Sequence, residues 1–436
     1  MDVTRQEDLR GRNSAALLAR VATAAQAPSR ASLAAATGLT RTTVSALVDQ
    51  MLVAGLLEET DPPGPSRGRP AQRLRLSGRR VAGLGVEVGV RHLAAGVRDL
   101  SGATRVLRVV PGDQRGAPPQ EVLGRAVALA DEVLASAAAE GLEVVGAAWG
   151  LPGLVDARAG VVRLAPNLGW HDVDVLGRLR GGAGAAALPT ALENEAALAA
   201  LAEAWSVGLE LEPGAVGPGA VGPGAGEPSS DAGGAAPRSF LLVSGEVGIG
   251  AGAVVGGRLL RGEHGWSGEL GHVGVDPGGP VCGCGATGCL EVYAGQDAVL
   301  AAAGLDPDGS TVAGGGGAGA VLARAAGRGE ERVVRALADA GRALGVAASS
   351  AVNVLDVDAV VLGGVYAPLV PWLGPPLRAE LSRRVLRARV LPVEVRAARL
   401  GADAVVLGAA ARVLQGVLEQ PGDLLAAPAQ PATGAP

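Results

Sequence analysis

Residues 264–291 read HGWSGELGHVGVDPGGPVCGCGATGCLE. All three cysteines of the chain lie in this stretch, spaced Cys-x-Cys-x4-Cys (Cys282, Cys284, Cys289), and His272, one of only four histidines, stands ten positions before the first. Three thiolates and one imidazole are the closed tetrahedral ligand set of a structural zinc, and the interspersed glycines let the chain turn tightly around a small ion. Random placement would not gather every cysteine of so long a chain beside a rare histidine, which favours a zinc knuckle over three buried thiols. A disulfide fits less well, because the odd count leaves one thiol over and nothing points to secretion.

Two carboxylates flank this set. Glu269 precedes His272 by three positions and Glu291 follows Cys289 by two, so folding the knuckle draws both toward the metal-fixed imidazole. Carboxylates beside a histidine accept hydrogen bonds from hydroxyls, the groups a sugar offers. The run Gly268-Glu-Leu-Gly-His272, followed by Cys282-Gly-Cys-Gly-Ala-Thr-Gly-Cys-Leu-Glu291, resembles the signature of the ROK family (repressor, open reading frame, kinase). The resemblance implies an α/β, two-lobed actin/hexokinase-like domain in which Glu269, His272 and Glu291 hold a sugar, His272 also ligating zinc.

The chain has 436 residues, room for two or three domains. Hydrophobic residues make up 48% but aromatics only 2%, so the core must be built from Ala, Val and Leu. Charge is unevenly spread: residues 1–80 carry 12 Arg against 7 acidic residues, and the remainder 26 Arg against 36. A basic head on an acidic body places any polyanion contact at the head. The charged N-terminus is no signal peptide, and the longest uncharged run, Ala359 to Leu377, carries Pro368, Pro371, Pro375 and Pro376, which would repeatedly break a membrane helix. We expect a soluble, cytoplasmic protein without a membrane partner.

In the head, residues 14–24 have helical apolar spacing after Ser14, a cap. Ser29 caps a short second helix, Gly38 ends it, and Thr40 opens a third, whose Val44, Leu47, Val48, Met51 and Leu52 form one stripe. This is helix-turn-helix spacing, with Arg41, Thr42, Thr43 and Ser45 at the start of the helix that would enter the major groove. Leu56 and Leu57 begin a strand, Arg73–Leu76 alternates as its return, and the Pro/Gly loop between them places Arg67 and Arg69 at a wing tip that can reach phosphates or the minor groove. A winged helix-turn-helix over 1–80 is the expectation; a helical hairpin for protein contact is the alternative. The segment also resembles the DNA-binding head of ROK repressors, through Arg12-Asn13, Ser29-Arg-Ala-Ser-Leu-Ala-Ala-Ala-Thr-Gly-Leu39 and Gly68-Arg-Pro70.

From about residue 82 the pattern turns to strands, and we divide the body into lobe 1 (81–190) and lobe 2 with the knuckle (191–415). ROK kinases carry D-x-G-G-T in the first hairpin to grip phosphate; here the positions read Glu87-Val-Gly-Val-Arg91. Only one glycine survives, Val90 denies a phosphate its close approach, and the hydroxyl donor is gone. The resemblance places Asn167 and Asn194 among the sugar contacts and Glu195 at the general base, where the kinases have aspartate. Apart from it, Asn194 and Glu195 read as a solvent-facing helix start. The second phosphate loop has Glu246 and Val247 in place of glycine and a hydroxyl residue, which opposes nucleotide. The Pro/Gly/Ala tract 207–237 reads as a disordered insertion and 416–436 as a disordered tail. A helix from about Ala320 to Asn353, a strand ending at Gly363-Gly364 and a closing helix complete the body.

Sugar and zinc positions thus match the family while phosphate positions do not. The resemblance implies a sugar-responsive regulator, a repressor of the xylose or N-acetylglucosamine regulator type, binding operator DNA as a homodimer or tetramer and taking a sugar or sugar phosphate. ATP and magnesium are not expected. The alternative is an ATP-dependent sugar kinase with an added DNA-binding head and Glu195 as its base.

Overall fold

The computed structural model describes residues 3–24, 26–61, 72–180, 182–206, 238–306 and 317–426. The expected wing tip with Arg67 and Arg69, the insertion 207–237 and the last ten residues lie outside these.

The chain opens with helices Val3–Thr23, Arg30–Thr37 and Arg41–Val53, then an antiparallel hairpin of Leu57–Thr60 and Arg73–Leu76. Ser29 and Ser32 cap the second helix reciprocally, Gly38 ends it at φ 70°, and Thr40 accepts from the Thr43 amide to cap the third. Ser14 does not cap the first helix. It sits buried within it, because the polar turns upstream are helix formers and continue the register set by Leu17, Leu18 and Val21.

Two five-stranded sheets follow, built to the same plan. In the first, Val81–Val88 lies between His92–Asp99 and Glu143–Leu151, with Thr104–Pro111 and Thr190–Asn194 at the edges. In the second, Phe240–Gly245 lies between Ile249–Val255 and Ala359–Gly364, with Arg258–Leu260 and Glu394–Ala397 at the edges. Each central strand is antiparallel to the strand after it in sequence and parallel to the one returning across a helix. Their burial on both faces is why these strands read as unbroken apolar runs. The edge strand Thr190–Asn194 belongs to the first sheet, so the expected boundary at 191 falls inside it.

The closing helix, Ala404–Glu419, joins the parts. An added Cβ on Gly85 of the first sheet would lie 2.0 Å from Val406 O, and one on Gly408 would lie 1.9 Å from Leu198 O in helix Glu195–Ser206. Its far end, with Leu414, Val417 and Leu418, enters the head's core beside Leu17, Leu56 and Leu74. The disorder expected from 416 is therefore corrected for residues 416–426. The helix runs to Glu419 and a short one follows at Gly422–Ala426, because apolar side chains there have the head to pack against. This helix is long and apolar enough to cross a membrane, but 56% of the relevant window is buried in this packing. Leu414 is fully buried, and Leu414→Ala should lower unfolding free energy by about 2–5 kcal/mol, measured by chemical denaturation.

Two further expectations change. The helix expected over 320–353 is two, Gly317–Gly327 and Glu331–Leu355, separated where Gly329 takes φ 77°. The helix Val370–Arg384 runs unbroken through Pro375 and Pro376, which lie in its first two turns on its wetter side.

Candidate functional site

The knuckle folds as two tight turns held by the bridges Gly274↔Cys289 and Val281↔Thr287, with Cys282 N donating to Ala286 O. This gathers what the sequence spread over 18 positions: the ligand atoms of His272, Cys282, Cys284 and Cys289 all lie within 4.8 Å of one another. Two sulfurs at about 2.3 Å from one tetrahedral zinc stand about 3.8 Å apart. Cys284 Sγ and Cys289 Sγ are 3.8 Å apart, as are Cys282 Sγ and His272 Nδ1. The backbone N–H of Ala286 leads the interactions that hold the Cys284 thiol below its ordinary range. Burial, followed by the neighbouring Cys284 and Cys282, pushes Cys289 up to about 12. The three thiols and the imidazole stand in the geometry a cation would fill.

With Nδ1 turned to the sulfurs, His272 presents Nε2 toward Glu269, whose Oε2 lies 4.0 Å away. Burial raises the Glu269 carboxyl, His272 opposes that rise and Glu291 adds to it. Glu291 opens helix Glu291–Ala294 and accepts from Ile249 N at 3.3 Å. Asn167, in the turn between strands Val161–Ala165 and Trp170–Asp174, comes to the same place from lobe 1. Both converge on Gly248, where an added Cβ would stand 2.6 Å from Asn167 Nδ2 and 2.7 Å from Glu291 Oε2. Asn167, Glu269, His272 and Glu291 thus come together where the lobes meet.

Asn194 has a different task. Its Oδ1 accepts from Ala196 N and Ala197 N at 2.8 and 3.2 Å, capping helix Glu195–Ser206, and its Nδ2 donates to Gly153 O at 3.0 Å. It is a helix cap with its acceptor occupied, closer to the helix-start reading than to the sugar contact. Glu195 projects instead. Burial, then the charges of Glu246 and Glu87, push its carboxyl well above the ordinary range, against the pull of His92, and Oε2 has no hydrogen-bond partner.

The degenerate phosphate loops are occupied by side chains. Val90 is buried, and Arg91 reaches Asp297 at 3.2 Å. Val247 packs against the lobe 1 core. Beside them His92, which carried no motif, lies with Nε2 3.2 Å from Glu87 Oε1. Burial alone would lower the imidazole, but Glu87, then Glu246 and Glu195, outweigh it and raise it to about 9. Glu246 rises to about 7 through burial, with His92 opposing and Glu87 adding. A cavity of about 390 Å³ remains next to this cluster, lined by His92, Glu246, Gly319, Gly364 and Pro368 among others. The sequence suggested a cradle filled in throughout. The loops are filled, but the room beyond them is not.

In the head, Arg41 and Thr42 are exposed and Ser45 half-buried at the start of helix Arg41–Val53. Thr43 is tied to Thr40 through both its amide and its hydroxyl.

Residues 83–210 and 230–415 match the model of the ROK family. The chain is 25% identical over 393 residues to the xylose repressor of Bacillus subtilis, covering 90% of this chain and 92% of that one. Among solved structures, a ROK family transcriptional regulator described as a homologue of E. coli MLC protein superposes with TM-score 0.72 at 24% identity, over 96% of this chain and 98% of that one. A ROK family glucokinase from Streptomyces griseus, in complex with glucose and AMPPNP, superposes with TM-score 0.58 at 27% identity over 76% of this chain and 98% of that one. With this match over both lobes, and with their α/β actin/hexokinase-like architecture, the chain belongs to the ROK family.

Proposed function

We propose that this chain is a sugar-responsive, DNA-binding transcriptional repressor of the ROK family. The head is a winged helix-turn-helix that holds operator DNA through Arg41, Thr42, Thr43 and Ser45, with Arg67 and Arg69, outside the described residues, as further contacts to DNA. His272, Cys282, Cys284 and Cys289 hold a structural zinc. Asn167, Glu269, His272 and Glu291 bind a sugar, with Glu195 at its edge. The protein works in the cytoplasm as a homodimer or tetramer.

One observation carries this reading: the closing helix lies across lobe 1, touches lobe 2 at Gly408 and ends inside the head's core. Any rearrangement of the lobes around a sugar is therefore felt by the head. A sugar shifts operator affinity only by its preference for one arrangement, and a tenfold effect needs about 1.4 kcal/mol. The test is selection of duplexes from a random pool, followed by titration with free and phosphorylated monosaccharides. We expect paired half-sites at whole helical turns, about 10 base pairs each, and at least one sugar that changes affinity tenfold or more. A pool that yields no preferred duplex, or no sugar effect, overturns the reading.

The remaining cavity favours a second reading, an ATP-dependent sugar kinase. Against it stands Glu195, which carries its carboxyl one methylene farther out than the aspartate at the base position of the kinases, where proton transfer needs hydrogen-bond reach. Arg91 and Val247 also stand where phosphate would be held. We expect neither the native chain nor Glu195→Asp to release ADP with any sugar; turnover of about 1–100 per second would make the kinase reading correct.

A further inference from the structure

We propose that Glu87, His92 and Glu246 form a second metal site, for a divalent first-row transition cation that bridges the two lobes. One ligand atom from each of the three lies within 4.8 Å of the others. Glu87 ends the central strand of lobe 1 and His92 begins the next strand; Glu246 follows the central strand of lobe 2. Ligands bound at about 2.1 Å to one ion stand roughly 3.0–3.4 Å apart, and His92 Nε2 and Glu87 Oε1 are 3.2 Å apart.

Three observations favour an ion over an ordinary ion pair. Glu87 is 1% exposed, yet neither of its oxygens has a well-formed hydrogen bond, and Glu195 Oε2 beside it also lacks one. A buried carboxylate whose one neighbouring donor, His92 Nε2, is poorly aligned is costly, and a cation between the two removes that cost directly. The cluster is also acidic in excess, since the carboxylates of Glu87 and Glu246 both close on the single imidazole of His92. Finally, the glycine kept in the first loop has a use. An added Cβ on Gly89 would lie 2.6 Å from His92 Cε1 and 2.8 Å from Nδ1, so the imidazole folds back over Gly89 into the space a phosphate would need.

The donor set selects the metal. Two carboxylates and an imidazole suit manganese, iron or zinc; magnesium and calcium prefer oxygen alone. The ligands come from both lobes, so a bound ion pins the cleft.

The test is titration of the full-length, zinc-loaded protein with Mn²⁺, following the free ion by electron paramagnetic resonance. Manganese ranks far below zinc for thiolates, so it leaves the Cys/His site alone. We expect one Mn²⁺ bound per chain, and Kd raised at least about tenfold by Glu246→Gln and by His92→Gln, with zinc content unchanged. Glu87→Gln serves as a third variant should either lower the yield of folded protein. Absence of Mn²⁺ binding, or binding indifferent to all folded variants, overturns the proposal.

Discussion

Gly248→Ala should abolish the response to sugar while leaving the head able to bind DNA. The methyl group would stand 2.6 Å from Asn167 Nδ2 and 2.7 Å from Glu291 Oε2, closer than carbon and a polar atom can approach. Both neighbours are the ends of flexible side chains, so they swing aside and the fold survives. The hydrogen bonds that we propose they make to the sugar do not. Two bonds of the charge-assisted or buried kind at about 1.5 kcal/mol each come to about 3 kcal/mol, roughly a hundredfold in affinity. Thermal shift with the monosaccharide that stabilises the native protein reads the loss. A melting temperature within a few degrees of native, and unchanged sugar-free operator affinity, show that nothing else moved. A variant that binds sugar as the native chain does would mean that Asn167 and Glu291 are not its contacts.

How much of this was legible depended on distance along the chain. The knuckle could be read because its ligands are sequence neighbours and thiols are rare. The central strands could be read because both faces are covered, which leaves an uninterrupted apolar run. Asn194 was placed by its neighbour Glu195, and what separates a cap from a ligand contact is where Oδ1 points, which only the helix Glu195–Ser206 decides. Val417 and Leu418 looked like part of a tail because their partners, Leu17 and Leu56, stand far upstream. Pro375 and Pro376 suggested a break, but the helix loses two backbone bonds and keeps Leu373, Leu377 and Leu381 in the core. His92 had no motif at all. The one available signal was its place straight after a phosphate loop that had lost its donors, and its meaning needed Glu246 from the other lobe. Sequence thus revealed contacts made within a loop, and contacts between lobes only where a family motif carried them, as for Asn167 and Glu291.

Cys289→Ser, or removal of zinc by a chelator, should cost the sugar response as completely as Gly248→Ala, by a different route. Cys289 is fully buried and touches Cys284, so its thiolate is indispensable to a set with no spare ligand. Serine binds zinc poorly, and metal content should fall from one ion per chain to none. Structural zinc sites contribute to folding directly, about 10–16 kcal/mol in isolated zinc-finger peptides. Here the large surrounding core makes the loss local, so the melting temperature drops while the lobes persist. The functional consequence follows from the imidazole. An Nδ1 committed to metal leaves Nε2 protonated and aimed past Glu269, a donor beside two acceptors, which is complementary to a pair of vicinal hydroxyls. Without the metal, His272 is free to turn, the tautomer is no longer set, and Glu269 and Glu291 lose the donor between them. Replacing zinc by cobalt should restore sugar binding to the chelated native protein and bring a sulfur-to-cobalt charge-transfer band. Cobalt should do neither for Cys289→Ser. Retention of full sugar affinity by the metal-free protein would remove His272 from the contacts and reduce the knuckle to a staple.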